Sequence, residues 1–187
     1  MGRVVCDAVS TFDRLVAWDE AVLLQLSRWQ HPRATRVLRA VTHLGDWHSL
    51  TLVGLVLILS EQVETHRLGW LLGLSAGGVA AAAQVIKRLS RRPRPSAGVA
   101  GVAGVAGFTA LVANPDAFSF PSGHTAAMVA LAVAWAGEGN GLGALMACLA
   151  ATVAFSRLYL GAHYPLDVMA GSVLGLVTGA LARWVAT

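Results

Sequence analysis

The sequence predicts an all-α fold, a polytopic transmembrane helical bundle of about five spans with an N-terminal amphipathic interfacial helix. Three observations predict it. Of 187 residues, 56% are hydrophobic and only 13% charged, too apolar and too charge-poor for a soluble domain of this size. The charges gather between long apolar runs instead of covering a surface. Turn signals separate those runs, so neighbouring spans are expected to run antiparallel. Residues 1–187 read as a single integral membrane domain.

Thr11 to Gln30 comes first. Phe12, Leu15, Val16, Val22, Leu23 and Leu26 recur at helical spacing while Asp13, Arg14, Asp19 and Glu20 occupy the other positions. Such a helix is expected to lie in the interface rather than to cross. The same charges leave no uninterrupted apolar stretch of the kind a cleavable signal peptide needs. Charge-free runs follow at Trp47–Ser60, Leu68–Ile86, Pro121–Gly137, Gly139–Ser156 and Pro165–Ala182. A span needs about 20 residues, so several must borrow flanking polar residues. Glu61 to Arg67 and Glu138 to Gly141 supply connections. In a five-span arrangement Trp70, Trp135 and Trp184 fall at one surface, as an aromatic belt requires.

Ser96 to Asn114 is also uncharged, with three Gly-Val-Ala copies from Gly98 to Ala106. Glycine at every third position weakens a helix, so 98–113 is expected to be an apolar loop or re-entrant cap instead of a span. Cys6 and Cys148 fit neither a metal-ligand spacing nor a disulfide framework. The net charge of +4 does not point to nucleic acid, because the basic residues flank apolar segments and do not interleave with exposed aromatics. Thirteen of the fourteen basic residues are arginine and only Lys87 is lysine.

Three polar islands interrupt the apolar chain, and the span order brings all of them to one membrane surface. They are Lys87 to Pro95, Pro121-Ser-Gly-His124, and Ser156-Arg157 through His163 to Asp167. Arginine offers a planar fork to phosphate oxygens and lysine a compact charge, so Lys87, Arg94 and Arg157 suit a phosphoryl group. Arg88, Arg91 and Arg92 read instead as interfacial charges that snorkel to water and attract anionic lipid. Ser122 and Gly123 open a helix whose first N–H groups would point toward an anion. His124 beside them is suited to acid–base work near neutral pH. Pro165 sets a helix start that places Asp167 four residues after His163. There the carboxylate complements the helix dipole and can accept a hydrogen bond from the imidazole. A capping aspartate with a surface histidine is the plainer alternative.

Taken together, Lys87 with six residues then Arg94-Pro95, Pro121-Ser-Gly-His124, and Ser156-Arg157 with five residues then His163 and three more then Asp167 resemble the type 2 phosphatidic acid phosphatase superfamily, in its membrane lipid phosphatase branch. The motifs cover Lys87 to Asp167 and the helical layout extends the likeness over most of the chain. The resemblance implies a phosphatase in which His163 attacks phosphorus, Asp167 orients it and His124 protonates the leaving oxygen. It implies that Lys87, Arg94, Ser122, Gly123 and Arg157 bind the phosphoryl oxygens. A phosphohistidine then forms and is hydrolysed. The ten acidic residues show no metal-like cluster, so no metal and no other cofactor is expected.

The expected partners are a lipid or polyprenyl phosphate substrate and membrane lipids, with no nucleic acid and no required protein. A phosphotransferase would use the same residues. A vanadium-dependent haloperoxidase has a similar oxyanion site but is soluble. A catalytically silent lipid-binding membrane protein would normally have lost a reactive group. Polyprenyl diphosphate, phosphatidylglycerophosphate, phosphatidate, a lipid A phosphate and a polyprenyl-linked sugar phosphate all remain open as substrates. The usual arrangement in bacterial proteins of this kind puts the site on the outer side of the cytoplasmic membrane. The positive-inside rule, applied to Arg28, Arg33, Arg36 and Arg39, points the other way.

Overall fold

A computed structural model describes residues 11–96, 105, 108–113, 116–136 and 141–185. Among them are seven α-helices: α1 (Thr11–Ser27), α2 (Pro32–Thr42), α3 (Trp47–Ile58), α4 (Val63–Ser90), α5 (Gly123–Trp135), α6 (Leu142–Tyr159) and α7 (Pro165–Val185). One turn of 3₁₀ helix, His43–Gly45, joins α2 to α3.

The five expected spans correspond in order to α3 through α7, with differences set by length. His66–Ser90 of α4, α6 and α7 are each long and apolar enough to cross a membrane. The first expected span is only the twelve residues of α3. It becomes long enough only when joined to α2 through the 3₁₀ turn, and that pair is bent by 55°. Helix α2 is absent from the sequence expectation: Arg33, Arg36 and Arg39 mask an apolar face that buries Leu38. Pro32 at its first turn is the start signal, since the missing N–H costs nothing there. Helix α5 has thirteen residues, about 20 Å of rise. Its alanines and leucine are buried by its neighbours on nearly every side.

Helix α5 is the axis of the bundle. Leu71, Leu72 and Val79 of α4, Ala126 to Trp135 of α5, and Ala150 and Val153 of α6 form one core. Helix α7 comes closest to α5, along Gly171, Gly175 and Gly179. A Cβ on Gly171 would stand 2.5 Å from the Ser122 carbonyl oxygen, so a larger residue would push the two helices apart at the site. The outer surface stays apolar, with Leu52, Leu55 and Val56 of α3 and Val173, Leu176 and Leu181 of α7 all exposed. That pattern fits lipid rather than water as the surrounding solvent.

The aromatic belt is corrected in one member. Trp70 and Trp184 are exposed, but Trp135 is buried in the core and its indole N–H donates to the Leu68 carbonyl at 3.3 Å. Helix α1 forms as expected, with Leu15 and Trp18 exposed, yet its inner face buries Asp19 beside Leu23. Of the segment expected to form a loop or cap, 97–104, 106–107 and 114 lie outside the described residues, as do 115 and, in the α5–α6 connection, 137–140. Val105 and Phe108 pack with Leu23 and Tyr164 beside the site.

Candidate active site

The three islands meet at one end of the bundle. Lys87 closes α4, His124 stands in the first turn of α5, Arg157 in the last turn of α6, and Asp167 in the first turn of α7. Lys87, Arg94, Ser122, Arg157, His163 and Asp167 are all buried. So many buried polar groups require partners, and the partners define the site.

His163 lies in the loop between α6 and α7. Its Nδ1 is 2.7 Å from the Ser119 carbonyl oxygen. A carbonyl only accepts, so Nδ1 carries the proton and Nε2 keeps its lone pair. That lone pair faces Arg94 Nη1 at 3.4 Å. Enclosure, and then the cations Arg157, Arg94 and Lys87, push the His163 imidazole well below the ordinary histidine range. The ring is neutral, with a fixed tautomer that leaves Nε2 as the lone-pair nitrogen.

Asp167 does not make the hydrogen bond expected of it. Its Oδ2 is 3.6 Å from His163 Nδ1, beyond bonding reach. The reason is that both oxygens are engaged elsewhere: Oδ1 accepts from Arg92 Nη1 at 2.8 Å and Oδ2 from the Tyr164 N–H at 2.9 Å. The Ser119 carbonyl has the tautomer-fixing contact, and Asp167 contributes a negative charge beside the imidazole. Arg92 likewise departs from its expected role as a snorkelling surface charge. It turns inward and bridges Asp167 and Asp19, because two buried carboxylates hold it more strongly than water at the interface would.

Lys87 and Arg94 converge on a residue that sequence reading missed, Asp116. Lys87 Nζ is 2.5 Å from Asp116 Oδ2, Arg94 Nη2 pairs with Oδ1, and Arg94 Nε donates to the Asp116 carbonyl at 2.8 Å. Burial would raise the Asp116 carboxyl, but these two cations hold it below the usual range. Arg94 is oriented further by donating to the Ala162 carbonyl at 2.8 Å. Arg157 donates from Nη1 to Thr42 Oγ1 at 3.0 Å.

Ser122 and Gly123 stand at the start of α5 as expected. The Ser122 side chain does not cap the helix, however: its hydroxyl pairs with Thr125 Oγ1 at 3.0 Å and its N–H donates to the Asp167 carbonyl at 3.0 Å. A Cβ at Gly123 would meet nothing within 4 Å, which leaves room for a ligand against the helix N-terminus.

His124 has a second unforeseen partner. Its Nε2 is 2.5 Å from Asp46 Oδ1, and the other Asp46 oxygen is 2.6 Å from Nδ1 of the exposed His43. Gly45 makes this approach possible, since even a Cβ there would come within 3.1 Å of His124. The His43-Leu-Gly-Asp46 turn before an apolar run was the only sequence trace of Asp46.

Gly123, His124, Arg157, Lys87 and Asp116 open onto a cavity of about 1140 Å³, whereas His163 and Arg94 are buried behind its lining residues. Lys87, Asp116, His124 and Arg157 line one end, and Leu55, Ile58, Leu72 and Ala80 line the remainder between α3 and α4. Among the described residues no three of His, Cys, Asp and Glu converge as metal ligands. The arrangement suits transfer of an anionic group to His163 Nε2 with proton exchange at His124.

Known proteins resemble this chain in sequence and in fold. A family model described as the PAP2 superfamily matches residues 68–187. Decaprenylphosphoryl-5-phosphoribose phosphatase of Mycobacterium tuberculosis is 34% identical over 161 residues, covering 86% of this chain and 85% of that protein. Phosphatidylglycerophosphatase B of Bacillus subtilis is 30% identical over 173 residues, covering 85% and 78%. The crystal structure of a transmembrane PAP2 type phosphatidylglycerolphosphate phosphatase from Bacillus subtilis superposes with a TM-score of 0.75 at 24% identity. It covers 95% of this chain and 88% of that one, a likeness of fold.

Proposed function

This chain belongs to the PAP2 superfamily and is a membrane phosphatase, a phosphoric ester hydrolase, and from that premise we propose that it removes phosphate from a polyprenyl-type lipid through a phosphohistidine at His163, without a metal ion. One observation carries the substrate class. The cavity joins a cationic end at Lys87 and Arg157 to an apolar end between α3 and α4, so a single ligand with a charged head and a long tail satisfies both. Similarity to a decaprenyl-linked phosphatase over most of its length favours a polyprenyl carrier over a glycerolipid.

His163 Nε2 forms the bond to phosphorus as the bond to the leaving oxygen breaks, and the departing electron pair takes a proton from His124. Lys87, Arg94 and Arg157 spread over the negative phosphoryl oxygens, the duty that a metal ion performs elsewhere. Asp116 holds Lys87 and Arg94 in place until the phosphoryl group takes over their hydrogen bonds. Water then attacks the phosphohistidine and gives its proton to His124, which restores His163 and releases phosphate. The site is read as facing away from the cytoplasm. Labelling of Ser96→Cys by a membrane-impermeant reagent in intact cells checks this side, and protection there until lysis would reverse it.

The deciding experiment uses the full chain in detergent with EDTA present. Phosphate release is measured from a polyprenyl phosphate, a polyprenyl-linked sugar phosphate, phosphatidylglycerophosphate and phosphatidate, each labelled with ³²P and quenched in alkali. Release from the polyprenyl substrates, with an acid-labile label on the wild type that His163→Ala lacks, is the expected result. A requirement for added divalent metal, or turnover without any label on the protein, would overturn the mechanism. Preference for phosphatidate would overturn the substrate class.

A further inference from the structure

Arg92 occupies one of the six unspecified positions between Lys87 and Arg94, yet four parts of the fold meet on it. Its Nη2 donates to Asp19 Oδ2 of α1, and its Nη1 donates to Asp167 Oδ1 of α7 at 2.8 Å. Its guanidinium lies 4.2 Å above the centre of the Tyr164 ring. Its carbonyl accepts the Ser119 N–H at 2.9 Å, and the Ser119 hydroxyl donates to the next carbonyl, Pro93 O, at 3.0 Å. Ser119 is the residue whose own carbonyl fixes the tautomer of His163.

We propose that Arg92 and Asp19 are a positioning pair for His163 and Asp167, which makes α1 part of the catalytic scaffold and not only a helix on the membrane surface. The inference rests on the reading of His163 as nucleophile. Asp19 is fully buried beside Leu23 on the inner face of α1, and both of its oxygens are committed. One holds Arg92. The other accepts the Leu166 N–H at 2.8 Å, in the first turn of α7. Asp19 therefore fixes both the guanidinium that grips Asp167 and the helix end that carries Asp167.

Burial pushes the Asp19 carboxyl up, offset by the Leu166 N–H and by Arg92. Without Arg92, the carboxylates of Asp19 and Asp167 would be left buried with no cation between them. They would separate, and the Ser119 loop would lose its anchor to the Arg92–Pro93 backbone. Lysine cannot replace Arg92, because an ammonium group does not offer a planar fork to two carboxylates while lying flat on an aromatic ring. A displacement of His163 on the order of 1 Å is enough to cost roughly a hundredfold in rate.

The test compares Asp19→Asn and Arg92→Lys with wild type and His163→Ala, each as the full chain in detergent. The readouts are kcat and KM on a polyprenyl phosphate and on an activated aryl phosphate, together with melting temperature. The expected result is a fall in kcat of about tenfold or more for both variants on both substrates. KM should stay within about twofold, because neither residue touches the phosphoryl donors. The rate is normalised to folded protein by the melting transition. If the pair is merely structural, melting falls but kcat per folded molecule does not change, and the proposal is overturned. A rise in KM at constant kcat would overturn it as well, by showing a role in substrate docking. His163→Ala keeps the two readings apart: activity in that variant defeats the nucleophile assignment, whereas an inactive His163→Ala beside a fully active Asp19→Asn defeats only the pair.

Discussion

Asp46 Oδ1 lies 2.5 Å from Nε2 of His124, although 78 residues separate them in sequence. The carboxylate also contacts the exposed His43 at 2.6 Å, so a chain of three titratable groups runs from solvent to the histidine assigned as general acid. The contact with Asp46 orients the His124 imidazole and gives it a neighbour with which to exchange the proton that a leaving alkoxide needs. Asp46→Asn is therefore expected to lower kcat on a polyprenyl phosphate by about tenfold or more and to leave an activated aryl phosphate within about threefold. Steady-state kinetics on the two substrates check it, and equal losses on both would remove Asp46 from the proton path.

The apolar end of the cavity makes a different prediction. Ala80 lines it from α4, opposite Leu55 and Ile58 of α3. Ala80→Phe places a ring where the lipid tail is expected to lie. It should reduce kcat/KM for a long-chain polyprenyl phosphate by roughly tenfold, through lost apolar contact, and spare a short aryl phosphate. Equal sensitivity of the two substrates would show that the tail runs elsewhere.

The convergence of the candidate residues was legible in the sequence wherever local spacing dictated it. Lys87 and Arg94 are brought together by the end of one helix, and His163 and Asp167 by the start of another. What was not legible is long-range or made of backbone. Asp19 reaches Arg92 across 73 residues, and nothing in an amphipathic pattern marks one acid as buried. The Ser119 acceptor is a carbonyl, which every residue possesses and no sequence can flag. Helix α2 was hidden by its own arginines, and α5 was legible as an apolar segment but not as the buried axis. The glycines of α7 acquire their meaning only from the close approach of α5.

Burial of a neutral histidine predicts a pH dependence of stability. Enclosure and the surrounding cations push folded His163 well below the ordinary range, while in the unfolded chain it titrates near about pH 6.5. Below that pH the unfolded state binds a proton that the folded state refuses. The stability contributed by this group is thus present above about pH 6.5 and lost as pH falls toward the folded value. Asp116 is also held low, but its loss begins only below about pH 4. The melting temperature in detergent, followed by tryptophan fluorescence, should fall between about pH 7 and pH 5.5 in wild type and fall less in His163→Gln. Parallel curves for the two proteins would contradict a neutral buried His163.

The two histidines are separated most sharply by what leaves. As the proposed nucleophile, His163 attacks phosphorus whatever oxygen departs, so His163→Ala should abolish turnover of every substrate. His124 is needed only where the departing oxygen is basic and requires a proton as it leaves. A polyprenyl alkoxide or a sugar alkoxide needs that proton, whereas an aryl phenolate with strongly electron-withdrawing groups leaves without it. His124→Ala should therefore lose on the order of a hundredfold on a lipid phosphate and much less on the activated aryl ester. Arg157→Ala should impair both, because the charge it stabilises resides on the transferred phosphoryl group and not on the leaving oxygen. The six kinetic comparisons, three variants on two substrates, form one test with a definite sign. If His124→Ala damages both substrates equally while His163→Ala retains activity on the aryl ester, the roles of nucleophile and acid are exchanged, and the tautomer set by Ser119 would belong to the proton donor instead.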